Sequence, residues 1–226
     1  MYSASVVHTY KVPGKKHSHA LTVVLIVLAV LLAAAGILSA LAFHDPYAGR
    51  GLEKTAPSDA LPKDFVKGAL AQQECSFGAD EVNGYLASLY QKHNAGTERK
   101  GLRLRGVAVA EASGSHAVMY FPVTYHGKDF GVSFGVTPSF DSKNGRLLFQ
   151  VDSAHVGSIP VSPEWLLGEA KSHLPNGFQV TGNTVSCEAP AVNASVLSAS
   201  ASVTLGSFHM EDGKLKVSTK THLSVG

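Results

Sequence analysis

From Ala20 to Phe43 the chain runs without a charged residue, enough to cross a bilayer, whose hydrocarbon core takes about 20 apolar residues in a helix. A stretch of this kind divides the chain into a tail on one side and a domain on the other. Lys11, Lys15 and Lys16 precede it with no acidic residue, whereas Asp45, Arg50, Glu53, Lys54 and Asp59 mix both signs after it. Basic flanks stay cytoplasmic, so residues 1–19 are expected as a cytoplasmic tail, 20–43 as one transmembrane helix, and everything from His44 as extracellular. That is a single-pass protein of the cell membrane. Ala40-Leu41-Ala42 fits an A-x-A cleavage site, but the apolar region exceeds the roughly 7 to 15 residues of a removable signal. The reading is a retained signal anchor, with cleavage as the alternative.

Pro46, Gly49, Gly51, Pro57 and Pro62 lie among charges after the span, with no apolar periodicity. Residues 44–63 therefore read as a linker, and 64–226 as one extracytoplasmic domain of ordinary size. A net charge of +2 over 226 residues offers no concentrated basic face for nucleic acid. The two cysteines, Cys75 and Cys187, both fall outside the membrane. Thiols oxidise there, so a Cys75–Cys187 disulfide is one expectation and two separate buried thiols the other.

Within the domain, Gly78-Ala79-Asp80-Glu81 opens a helix whose apolar face is Val82, Tyr85, Leu86, Leu89 and Tyr90, at i, i+3, i+4, i+7 and i+8. From Leu102 the period drops to two. Leu102 and Leu104 alternate with Arg103 and Arg105, and a strand from His116 to His126 turns at His126-Gly127 into Phe130–Val136. Asn144-Gly145 marks a further tight turn into Leu147–Val151. Ser162-Pro163-Glu164 opens a second helix, and strands over 200–210 and 214–223 form a hairpin across Asp212-Gly213. The class is α+β: a curved antiparallel sheet, meander plus hairpin, with two packing helices.

FGADEVNGYL at the domain start, FPV in an apolar strand, then GSIPVSPEWLL and HLPNGF, resemble the YpmS-like proteins of Gram-positive bacteria, uncharacterised single-pass proteins with a short cytoplasmic tail. The resemblance implies a curved, helix-wrapped sheet of the tubular lipid-binding type. It implies no catalytic residues and no cysteine pair.

Bulky groups occupy one face of the Phe130 strand and Gly131, Ser133 and Gly135 the other, a pattern suited to a bent strand or a close neighbour. Phe121, Phe130, Val132, Phe134 and Val136, with Trp165 and Leu166 on the second helix as a wall, are the candidate lining of an apolar cleft for a lipid or other amphiphile. The same residues would equally make a filled core. Arg99, Lys100, Arg103 and Arg105 form a basic cluster able to meet anionic groups. Among eleven histidines only His17 and His19 are close, and no metal-ligand spacing, G-x-S-x-G or cysteine nucleophile signature occurs. No metal, cofactor or catalytic residue is therefore expected, and no enzyme. The expected function is a membrane-anchored extracytoplasmic binding module holding an amphiphile in the cell envelope. The alternative is a non-enzymatic scaffold recruiting an envelope enzyme or other protein.

Overall fold

The computed structural model describes residues 19–93, 98–99, 101–171, 174, 177–189, 192–196 and 199–225, of which 19–27, 93, 98–99, 192–196, 199–203 and 221–225 are described by backbone alone. The chain divides into two compact units, residues 1–39 and 40–226.

The first unit contains most of α1 (His19–Phe43), a helix of 25 residues with no acidic residue in its first turn and no basic residue in its last. Among the residues with described side chains, which begin at Leu28 in this helix, no helix is long and apolar enough to cross a membrane. The apolar run itself reaches back to Ala20.

The second unit is α+β and built on two antiparallel sheets. The larger is a curved half-barrel. It is made of β2 (Glu98–Arg99), β3 (Leu102–Leu104), β4 (Ala108–Ser113), β5 (His116–Tyr125), β6 (Lys128–Asp141), β7 (Arg146–Val156), β8 (Ile159–Val161), β9 (Gln179–Thr181) and β10 (Thr184–Glu188). Its order is β2-β3-β5-β6-β7-β10-β9, with β4 continuing the β3 side of β5 and β8 the β10 side of β7. The smaller sheet has the order β1-β13-β12-β11, from β1 (Cys75–Phe77), β11 (Val192–Val196), β12 (Ala199–Glu211) and β13 (Lys214–Val225). Besides the short 3₁₀ turn Leu52–Lys54, the helices are α2 (Ala60–Leu70), α3 (Ala79–His93) and α4 (Pro163–Ala170).

Local chemistry explains most of these boundaries. Glu81 accepts the Gly78 amide at 2.7 Å, fixing the start of α3. Ser162 accepts the Trp165 amide at 3.3 Å and Pro163 fills the first turn of α4. The β5–β6 and β12–β13 turns place both central residues at positive φ, His126 and Gly127 in one, Asp212 and Gly213 in the other, as two-residue hairpins require. The expected two-residue turn at Asn144-Gly145 is instead a four-residue loop: Asp141 accepts the amides of Lys143 (3.0 Å) and Asn144 (3.2 Å), widening it by two residues.

Curvature comes from bulges. Gly135 pairs with Ser153 and Val136 with Val151, leaving Asp152 as an extra residue on β7. Period two would send Val151 and Ala154 to opposite faces. The bulge returns both to the same face, where each is 2% exposed. That face meets Val109, Ala117, Val136, Leu167 and Met210 in the main core, against which Val82 and Leu86 of α3 pack. Asn83 of α3 secures the join: its side chain accepts the Val109 amide (2.6 Å) and donates to the Val109 carbonyl (2.9 Å), beside a second bulge between Val109 and Glu111. A second cluster, Phe77, Leu205 and Val217, is covered by Leu61 and Phe65 of α2.

Two expectations are overturned here. Residues 44–63 are not a spacer. Asp45 bonds Tyr120, Ser58 donates its amide to Gly84 at 2.9 Å, Asp59 accepts from Ser88 at 2.7 Å, and α2 begins at Ala60, adding a third packing helix to the two expected. Polar groups that pattern as loop in sequence are here consumed as partners of the sheet at Tyr120 and of α3 at Gly84 and Ser88. Cys75 and Cys187 are unbonded. Cys75, on β1 of the small sheet, lies directly over Gly68 of α2, where any side chain would overlap its Sγ, whereas Cys187 stands on β10 of the large sheet opposite Leu147.

Candidate functional site

Residues directly opposite each other in an antiparallel ladder project to the same face, so the register of β3, β5, β6 and β7 defines successive rows across the half-barrel. The first row is Leu102, Tyr125 and Lys128. The second is Leu104, Val123 and Phe130, and the third Phe121, Val132 and Val156. Met119, Phe134 and Ala154 follow, then Ala117, Val136 and Val151. Leu102 and Tyr125 are 42% and 48% exposed, whereas Ala117, Val136 and Val151 are 6%, 7% and 2% exposed. Between these ends Phe121, Phe130, Val132 and Phe134 are half-buried. Val123 and Ala154 within these rows are already 6% and 2% exposed, so the face is an apolar strip that opens at a rim carrying Lys128, stays half-buried at its phenylalanines and Val132, and closes into the core.

The candidate cleft residues are thus gathered, but not equivalently. Phe121 and Phe134 meet edge to face at 5.7 Å, and Phe134 leans on the core to which Val136 belongs. Phe130 meets Phe43 edge to face at 6.2 Å, and the Lys128 ammonium lies 5.0 Å from the centre of the Phe43 ring. Trp165 does not form the expected wall, being 57% exposed. On α4 the residue turned to the core is Leu167, 4% exposed. Trp165, two positions away, is rotated about 200° from it at 3.6 residues per turn. Leu166 is half-buried.

The basic cluster is dispersed by the same alternation. Arg105 is directed to the opposite face and bridges Glu53 (3.1 Å) and Asp129 (3.2 Å), so it is not free to meet an anionic partner. Arg103 is exposed on that face, Arg99 is described by backbone alone, and Lys100 lies outside the described residues.

That opposite face is closed by residues 41–54, the end of the expected span and the first part of the expected linker. Ser158 donates its amide to Leu41, His44 Nδ1 meets Ser158 Oγ at 2.7 Å, and Tyr120 donates its hydroxyl to Asp45 at 2.5 Å. Tyr47 packs on Tyr120, ring centres 5.3 Å apart, and Arg50 stacks 4.7 Å over Tyr47 while pairing with Glu111 at 3.3 Å. The clasp explains one small residue of β6: a methyl group at Gly131 would overlap both the Tyr120 ring and the Asp45 carboxylate, whereas one at Gly135 would meet Ser153 of β7. Burial, then the Asp45 hydrogen bond, push the Tyr120 phenol far above its ordinary range, so it remains a donor at every physiological pH. Burial likewise raises Tyr47. Under the clasp lies a polar cavity of about 200 Å³ lined by Tyr47, Leu52, Glu53, Arg105, Tyr120 and Asp129. Glu53 and Asp129 are engaged by Arg105, and no group of three or more metal-ligating side chains occurs among the described residues.

Lys128 and Phe43 were the site residues missed in sequence. Lys128 stands two before Phe130 on one strand and so shares its face, a signal that was present; the approach of Phe43 is long-range and was not.

Fold and site together define a two-sheet α+β half-barrel with a clasped polar face and a graded apolar face. No family model, curated protein or solved structure matches the chain.

Proposed function

We propose that the chain is a membrane-anchored, non-catalytic binding module, with α1 in the bilayer, residues 1–19 in the cytoplasm, and an extracytoplasmic half-barrel that holds the hydrocarbon chain of an amphiphile along its apolar face. The observation that carries this reading is the half-buried middle of the strip, where Phe121, Phe130 and Val132 stay partly open between an exposed rim and a closed core. An apolar surface of this kind gains roughly 0.8 kcal/mol for each methylene it removes from water. The anchor supplies the source of the ligand. Residues 41–45 already engage the domain, so no spacer intervenes between the apolar run and the sheet.

Photo-crosslinking in native membranes tests this reading. A diazirine amino acid in place of Val132 in the full chain should yield protein carrying lipid-sized mass additions, whereas the same group at Ser139, exposed on the opposite face of β6, should yield far fewer. Equal labelling at both positions would refute the cleft. Adducts to another protein at position 132 would favour the scaffold reading.

A further inference from the structure

We infer that the rim makes the strip selective for anionic amphiphiles, with the head group at Lys128 and the tail directed toward Val132 and Phe134; this rests on the amphiphile reading above and adds the ligand's class and direction. The first row places an exposed lysine beside an exposed tyrosine and an exposed leucine on the face that continues into the strip. Lys128 has no carboxylate partner among the described residues. The nearest carboxylate in sequence, Asp129, is on the other face, accepting from Thr124 at 2.6 Å and paired with Arg105 at 3.2 Å. Among the described residues the strip therefore opens at a positive charge that no carboxylate pairs.

Amphiphile chemistry fits this order of groups: a negative head at the ammonium, an interfacial zone at the tyrosine, and a chain along phenylalanine and valine. Phe43 adds continuity. The last residue of the apolar helix lies against both Phe130 and Lys128, so the mouth of the strip adjoins the point where the chain leaves its apolar run. A phospholipid of the adjoining leaflet is accordingly the occupant, rather than a soluble fatty acid.

The test uses the full chain in nanodiscs of equal parts phosphatidylcholine and phosphatidylglycerol, with a diazirine amino acid in place of Val132 and the head group of each adduct read by mass spectrometry. Phosphatidylglycerol should exceed phosphatidylcholine by about threefold, the size of an exposed ion pair. The ratio should hold in Lys128→Arg, fall to parity in Lys128→Gln and reverse in Lys128→Glu. Lys128 is exposed, so an unchanged circular dichroism spectrum and melting temperature are expected for all three variants. Equal adducts with Lys128 intact, or an enrichment that survives Lys128→Glu, would overturn the selectivity while leaving the amphiphile reading in place. Absence of adducts with either lipid would overturn both.

Discussion

Tyr120 and Asp45, 75 positions apart in sequence, are joined by a 2.5 Å hydrogen bond that fastens the segment after the apolar helix to the centre of the sheet. Replacing the phenol leaves Oδ2 of the half-buried Asp45 without its donor while Oδ1 keeps the Tyr47 amide at 2.9 Å, and a lost partner of this kind typically costs about 1–3 kcal/mol. Tyr120→Phe should therefore lower unfolding stability by that amount and open residues 44–53 to proteolysis. Gly131→Ala should do the same by steric displacement of Asp45. Urea unfolding and limited digestion check both. A variant with unchanged protection of 44–53 would show that the clasp does not depend on this bond.

Asn83 serves as a strand partner supplied by a helix. Its side chain satisfies both the amide and the carbonyl of Val109, and it is 4% exposed. Asn83→Ala leaves two backbone groups unpartnered in the core and should cost about 2–4 kcal/mol. Asn83→Asp, which keeps the acceptor and loses the donor, should not rescue it. Loss of less than 1 kcal/mol, on the order of one exposed hydrogen bond, would contradict the arrangement.

Asp59 gives the fold a defined acid sensitivity. The Ser88 hydroxyl, then the Lys92 ammonium, hold its carboxyl below the usual range. A depressed carboxylate binds fewer protons folded than unfolded, so its contribution is present above the ordinary value of about 3.9 and fades as pH falls through the folded value. The stability gap between the parent chain and Ser88→Ala should therefore be full near neutrality and shrink below about pH 4. Measuring that gap from neutral to acid conditions checks the sign; a gap independent of pH would contradict it.

Much of this architecture was legible locally. The start of α3, the caps of α4 and the hairpins at His126-Gly127 and Asp212-Gly213 are short-range chemistry, and the residues that decide them are adjacent in sequence. The Phe130–Val136 face was legible by period two alone. What was hidden depended on partners far along the chain. Residues 44–59 look like a linker because their polar groups find Tyr120, Gly84 and Ser88 only after folding. The bulge at Asp152 breaks period two on a strand that carries no glycine or proline of its own; its one local signal is Gly135 on the paired strand. Trp165 was expected on a wall because its helix packs beside the sheet, but its angular position on a helix oriented by Leu167 turns it outward.

The two thiols should behave as free and slow. Burial raises both Cys75 and Cys187 above the ordinary thiol range, so little thiolate exists at neutral pH. Alkylation should be slow in the native protein and reach both cysteines on denaturation without reductant. A denatured, non-reduced chain that resists alkylation would instead carry the disulfide.

The topology proposed from Lys11, Lys15 and Lys16 predicts that protease added to intact cells removes the domain and leaves a short fragment containing α1. Complete protection until lysis would place the half-barrel on the other side.

Direction of the bound chain is the most direct measure of the strip. In the full chain with Trp165→Phe, a tryptophan reports from Phe121→Trp in the middle of the strip or from Tyr125→Trp at its rim, in nanodiscs carrying phosphatidylglycerol with a doxyl group near either the head-group end or the tail end of one acyl chain. Tail-labelled lipid should quench the reporter at position 121 more strongly than head-labelled lipid, and the order should invert at position 125. The same order at both positions, or no quenching at position 121, would contradict a chain lying along this face.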